Sequence, residues 1–119
     1  MVTNKPAILI YAIEPDQRIL REICAGIEEE GVLFELVEKA AMDFEDLCFE
    51  SANDSILGSG IGIHGFWSAL QLRLLPKGRP LFSMKKPTPS QARCLGANAA
   101  RAVKRIPFKE IENVNCETP

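Results

Sequence analysis

Few residues in this chain are of a type and spacing that could do chemistry. There is a single histidine, His64, and there are four cysteines, Cys24, Cys48, Cys94 and Cys116. Between them lies Gly58-Ser59-Gly60-Ile61-Gly62-Ile63, a glycine alternation that invites a phosphate-loop reading. A phosphate loop needs its glycines at a strand exit with a helix starting at once. Here they alternate with Ile61 and Ile63 inside an apolar run, which leaves one strand face without side chains. A bare face implies close approach by another element, a helix of this chain or a partner surface. His64 follows at the exit of that strand, where open α/β sheets place ligands. A general base needs a positioned partner, and no carboxylate occurs anywhere in residues 55–109. A structural or hydrogen-bonded histidine and a catalytic one are therefore both carried forward. The cysteines form no CxxC pair, which argues against a metal knuckle and for buried thiols in a reducing, cytoplasmic setting. Cys94 lies near a helix start that could lower its pKa, but also beside a packing stripe that would bury it.

Three further features bear on binding. Phe66-Trp67 sits at a turn, where aromatics either fold back on the core or present an anchor. Glu28-Glu29-Glu30 closes a helix with acids at the end whose dipole disfavours them. Either water solvates the cluster, or a cation, a metal or a basic side chain, rests against it. Charge is also unevenly placed: Lys5, Arg18, Arg21 and Lys39 are the only bases among the acid-rich residues 1–54, whereas residues 55–109 carry ten Lys/Arg. The net charge is still only −2. Such a dipolar chain either neutralises itself, half against half, or offers different faces to different partners. Aromatics are not interleaved with the cations, so nucleic acid is not an expected partner. No stretch approaches the roughly eighteen apolar residues of a membrane span, and none reads as a signal peptide.

The elements that must position these residues follow from periodicity. Residues 6–12 read as a strand buried on both faces. Glu14-Pro15-Asp16 opens a helix, with proline in its first turn, that runs to Glu30 and stops at Gly31. Its buried stripe is Leu20, Ile23, Cys24 and Ile27; Arg18, Glu22, Ala25 and Glu29 lie on the opposite face. Residues 32–38 form a second strand, completing a right-handed βαβ unit. Residues 40–53 admit a short helix or an irregular loop. After the glycine strand, residues 65–67 turn into a strand over 68–75 in which Gln71 and Arg73 face water. A turn at residues 77–79 leads to a short strand over 80–84. Thr88, Pro89 and Gln91 start a last helix over 88–105 with a capping box. Its stripe of Ala92, Leu95, Gly96, Ala99, Val103 and Ile106 is mostly small, the expected cover for the bare glycine face, and Pro107 ends it. The chain thus reads as one α/β domain, residues 1–110. It holds a mixed five-stranded sheet with one antiparallel hairpin between helices, followed by a polar tail, 111–119.

Gly26-Ile27-Glu28-Glu29-Glu30-Gly31-Val32, Ser59-Gly60-Ile61-Gly62-Ile63, Leu95-Gly96-Ala97-Asn98-Ala99-Ala100-Arg101 and Lys104-Arg105-Ile106-Pro107 occur in this order. In that order and spacing the chain resembles the small subunit of the diol/glycerol dehydratase reactivating factor. The resemblance implies a non-catalytic subunit of a chaperone-like complex that frees coenzyme B12-dependent dehydratase of damaged cobalamin, by subunit exchange with the dehydratase. It implies a fold like the dehydratase medium subunit, of the anticodon-binding-domain kind. ATP/ADP and Mg would lie on a large partner subunit, with Glu29 reaching an interface magnesium and Arg18, Glu22, Ala25, Glu29, Phe66 and Trp67 at the partner interface. The complex would be cytoplasmic, with or without a bacterial microcompartment. Two alternatives stand beside this reading. One is a dehydratase medium-subunit component, which also carries the Gly-Asn-Ala-Ala pattern but has an N-terminal extension. The other is a stand-alone small-molecule-binding domain using His64. His64-Gly65-Phe66-Trp67 departs from the small polar residues usual in the family.

Overall fold

A computed structural model of the chain describes residues 5–111. Five strands form one mixed sheet: β1 (Ile8–Ile13), β2 (Phe34–Glu38), β3 (Ser59–His64), β4 (Trp67–Leu72) and β5 (Phe82–Lys85). The helices are α1 (Gln17–Glu29), α2 (Phe44–Asp54) and α3 (Pro89–Lys104). The strand order is β2-β1-β3-β4-β5; β1 runs parallel to both its neighbours, and β3-β4-β5 is an antiparallel meander. The glycine strand is therefore the middle of the sheet.

Chain direction decides which helix covers which face. The step from β1 to β2 moves one way across the sheet, and the step from β2 to β3 moves back past β1. Right-handed crossovers in opposite directions place their helices on opposite faces. α1 and α3 therefore share one face, over Ile8, Ile10, Ile61, Ile63 and Leu70, and bury Ile23, Ile27 and Leu95 completely. Full burial of each such side chain stabilises the fold by about 1.5–3 kcal/mol. α2 lies alone on the other face, over Leu9, Tyr11 and Ile13, with Leu47 buried beneath it.

This arrangement corrects the expectation that α3 fills the bare face of β3. A Cβ on Gly60 would run into Ser51 and the backbone nitrogen of Ala52, and one on Gly62 into the Cys48 thiol. All three belong to α2, the segment whose weak periodicity left helix and loop open. The small residues of α3 serve α1 instead: a Cβ on Gly96 would meet the Ile23 carbonyl, and one on Gly26 the Arg93 carbonyl. Gln71 is also not solvated, because its face lies under α2; it is 1% exposed and its amide donates to the Leu75 carbonyl at 3.1 Å.

Smaller differences have local causes. Asp16 is the N-cap of α1, accepting from the Ile19 N–H at 3.1 Å, so Pro15 precedes the helix instead of entering its first turn. β4 takes in Trp67 and ends at Leu72, where Arg73 turns away to donate to the Ser55 carbonyl. The Thr88–Gln91 capping box forms as expected, with Pro89 in the first turn. α3 stops two residues before Ile106, at a left-handed Arg105 (φ 58°), so Ile106 leaves the buried stripe. Ile111 packs against the core, and the tail over 112–119, with Cys116, lies outside the described residues.

Charge is partly neutralised half against half, through Lys77, Arg93, Arg101 and Lys104. Glu30 accepts from Arg101 at 3.1 Å and from Lys104 at 2.8 Å, and Lys104 also donates to the Glu30 carbonyl at 2.8 Å. The basic end of α3 thus supplies the cation that the C-terminus of α1 lacks. The Lys104 ammonium and Arg101 guanidinium hold the Glu30 carboxyl below its ordinary value of 4.5. A depressed carboxyl adds stability above its unfolded pKa and loses it as pH falls through the folded one. Melting curves taken as pH falls below about 4.5 should therefore show wild type losing its advantage over Glu30→Gln. A constant difference between the two at all pH values would contradict the linkage.

Candidate partner-binding surface

The C-terminal ends of β1 and β3 define the crevice in which doubly wound sheets hold ligands. Here that crevice is closed by backbone: the Gly65 N–H donates to the Ile13 carbonyl at 3.2 Å and the Asp16 N–H to the Gly65 carbonyl at 2.9 Å. Gly65 makes both bonds with φ 60°, a turn conformation natural to glycine. His64 is exposed on the outer side of this turn. Its surroundings are Phe44, Phe66, Trp67, Lys85 and Lys86, with no carboxylate, hydroxyl or thiol among them. The groove therefore offers His64 neither an acid to orient it nor a hydroxyl or thiol to activate.

Two of the thiols are equally unsuited to catalysis. Burial pushes Cys48 up to about 12 and Cys24 to about 11, so both stay protonated at neutral pH. Cys94 lies half-buried in the second turn of α3. No cluster of three or more His, Cys, Asp or Glu side chains that could hold a metal occurs among the described residues.

What the turn does present is aromatic. Trp67 folds back against Phe44, ring centroids 6.4 Å apart, while Phe66 stands 51% exposed. The two readings of this pair are thus divided between its members. Phe66 separates two grooves: one of about 500 Å³ towards Trp67 and His64, and one of about 360 Å³ towards Arg18, Ile19 and Pro89. Arg18 is therefore brought beside Phe66 at the start of α1. Lys85 and Lys86 belong to the same surface and were not singled out in the sequence. The register that pairs Trp67 with Lys85 is the only signal that could have found them.

Glu22, Ala25 and Glu29 continue along α1, and Glu29 lies about 17 Å of helix rise from Arg18. This face is not free of the rest of the chain. Arg93 of α3 bridges Glu22 at 2.9 Å and Glu29 at 3.7 Å. Glu29 nonetheless keeps half of its side chain in solvent. A half-exposed carboxylate is a hard oxygen donor of the kind magnesium takes, but as a single ligand it needs others from elsewhere.

Residues 5–109 match the family model described as dehydratase medium subunit. The chain belongs to this family. Within the family it is similar to small subunits of reactivating factors. It is 38% identical to the diol dehydratase-reactivating factor small subunit of Klebsiella michiganensis, over 92% of this chain and 89% of that one. It is 38% identical to the propanediol dehydratase-reactivating factor small subunit of Salmonella typhimurium, over 91% and 94% of the two chains. Among solved structures it superposes on a diol dehydratase-reactivating factor complexed with ADP and Mg2+ with a TM-score of 0.84 at 35% identity. That match covers 90% of this chain and all of the other. A second match, a glycerol dehydratase reactivase, has a TM-score of 0.85 at 29% identity and covers 91% and 100% of the two chains.

The structure gives five of the six positions of the Gly96–Arg101 segment a specific contact, and Ala100 is buried in the core between them. Gly96 admits the backbone of α1, and Ala97 faces Gly26. Asn98, wholly buried, clamps the segment after α3: Nδ2 donates to the Lys109 carbonyl at 3.0 Å, and the Lys109 N–H donates to Oδ1 at 2.7 Å. The Ala99 carbonyl accepts from the Ser59 hydroxyl of β3 at 3.0 Å. Arg101 ties Glu30 to the Pro107 carbonyl, 3.0 Å away. The motif that carries the resemblance is a packing motif, not a catalytic one.

Proposed function

We propose that this chain is the non-catalytic small subunit of a reactivating factor for a coenzyme B12-dependent diol or glycerol dehydratase. The observation that carries this reading is the near end-to-end correspondence with small subunits of that name, 89% and 94% of whose lengths are matched. The backbone-closed crevice at His64 favours it over a small-molecule-binding domain. The same correspondence favours it over a medium-subunit component of the dehydratase itself.

In this reading the subunit works by assembly. It joins a large subunit that binds and hydrolyses ATP, and it exchanges with the dehydratase medium subunit so that damaged cobalamin can leave. The glycines of β3 are taken up by packing against α2, so they form no phosphate cradle, and ATP/ADP and Mg fall to the large subunit. Arg18, Glu22, Ala25 and Glu29 on α1, together with Phe66 and Trp67, meet the partner, with Glu29 as the one carboxylate offered to an interface magnesium. Glu29 itself would point one carboxylate oxygen outward, its other side steadied by Arg93. The complex is assigned to the cytoplasm, free or within a bacterial microcompartment.

The test is reactivation of glycerol-inactivated dehydratase with ATP, magnesium, fresh cobalamin and the large subunit. Activity should return only when this chain is added; equal recovery without it would refute the assignment. Glu29→Arg should weaken co-purification with the large subunit by about tenfold or more, as reversal of a contacting charge does. Unchanged association would remove Glu29 from the interface.

A further inference from the structure

The two grooves flanking Phe66 concentrate cations that the fold leaves unmatched. Lys77, Arg93, Arg101 and Lys104 all meet carboxylates of the acidic half. Lys85 and Lys86 meet none among the described residues; their ammonium groups sit over Trp67 and Phe66, 5.5 and 5.7 Å from the ring centroids. Lys86 has φ 50°, a backbone state uncommon outside glycine, and its N–H donates to the Phe66 carbonyl at 2.9 Å. Such outliers are kept where the surroundings enforce them, and this one keeps Lys86 beside Phe66. Arg18 adds a third cation from the far groove. The only carboxylate lining either groove is Asp16, and its Oδ2 is committed to the N-terminus of α1.

We infer that this surface takes an acidic segment of a protein partner carrying a bulky apolar anchor, its carboxylates on Lys85, Lys86 and Arg18 and its anchor in the groove beside Phe66. The inference rests on the reading of this chain as an assembly subunit and specifies what one of its contacts recognises. An exposed aromatic flanked by cations suits such a segment, because the apolar contact holds while unmatched charge steers it. Nucleic acid fits less well: a base needs an open ring face, whereas these rings carry ammonium groups and Trp67 is tilted against Phe44.

Trp67 is the only tryptophan, so its emission reports directly on the site. The probe is a short capped peptide of alternating glutamate and leucine with one phenylalanine, titrated into the whole chain. A saturable change in emission is expected, weakened about tenfold or more by Phe66→Ala and by the double variant Lys85→Glu/Lys86→Glu. Binding should also weaken as salt rises from about 0.05 to 0.5 M. Both substitutions are at exposed positions, and circular dichroism confirms the fold of each variant. The inference is overturned if a lysine-for-glutamate peptide binds as tightly, or if no peptide changes the emission. It is equally overturned if a single-stranded oligonucleotide outcompetes the peptide, or if deleting residues 112–119 by itself shifts the emission, which would make the chain's own acidic terminus the occupant. Co-purification with the large subunit separates the two levels: peptide failure with intact association rejects this site alone, whereas lost association in the wild-type chain rejects the assembly reading.

Discussion

Gly60→Ala is expected to lower the unfolding free energy by about 2–3 kcal/mol, at the upper end of what overpacking usually costs. The added methyl has nowhere to go, because it meets the Ala52 backbone nitrogen and the Ser51 carbonyl carbon, neither of which can rotate aside. α2 would have to rise off the sheet, exposing Leu47 and opening its packing on Leu9, Tyr11 and Ile13. Gly62→Ala is the informative comparison. Its nearest obstacle is the Cys48 thiol, and the Cys48 backbone stands 3.2 Å away, tight but tolerable after a small shift. The double variant Gly62→Ala/Cys48→Ala should therefore recover part of the loss, whereas Gly60→Ala with Ser51→Ala should recover little. With the single variants Cys48→Ala and Ser51→Ala added, urea unfolding of the six variants and wild type closes two mutant cycles, and equal coupling in both would contradict this account.

Gly96→Ala tests the other layer and should be more damaging still. Alanine within a helix is favoured over glycine by about 1 kcal/mol, so an open site would be stabilised. Here the new methyl would be driven into the Ile23 carbonyl, with the carbonyl carbon 2.9 Å away. Gly26 makes the reciprocal approach, its added Cβ reaching the Arg93 carbonyl and lying 2.8 Å from the Ala97 nitrogen. Two rigid helix backbones meet there, so relief requires separating α1 from α3 along the whole seam. A net loss of about 3 kcal/mol is expected even after the propensity gain, read as a fall in melting temperature of 10 °C or more, on the scale of about 4–8 °C per kcal/mol for a domain this size. The same separation pulls Arg93 from Glu22 and Glu29, so under the proposed assembly, association with the large subunit should be lost as well. A stable variant that still assembles would show that the seam can breathe.

These two glycine pairs mark where reading from sequence stopped. Alternation at Gly60 and Gly62 announced a bare strand face, and the small stripe of α3 announced a helix that packs closely. Matching one to the other was the natural inference, and it was mistaken, because strand pairing order lies outside local periodicity. Only the return of the chain from β2 past β1 to β3 places α2 on the glycine face. α2 itself was hard to read since its buried side, Leu47, Cys48, Ser51 and Ala52, includes a serine and little bulk. Its periodicity is weak for the same reason that it can lie against bare backbone.

The proposed binding surface divides in the same way. Phe66 and Trp67 stood out as aromatics at a turn, and Arg18 as a cation on the outer face of α1. Lys85 and Lys86 did not, because the antiparallel register of β4 and β5 sets them against those rings from eighteen and twenty residues away. His64 was placed correctly at the strand exit, but the two backbone bonds that close the crevice beside it depend on two loops meeting.

By itself, then, the amino-acid sequence determined every element but α2, the capping of α3 and the family. Each of these follows from periodicity, caps or the order of motifs read along the chain. The tertiary structure decided which helix meets the glycines, how the acids at the end of α1 are neutralised, and which cations remain unmatched around Phe66. Those outcomes depend on groups from distant segments meeting in space, and local sequence pattern carries no term for that.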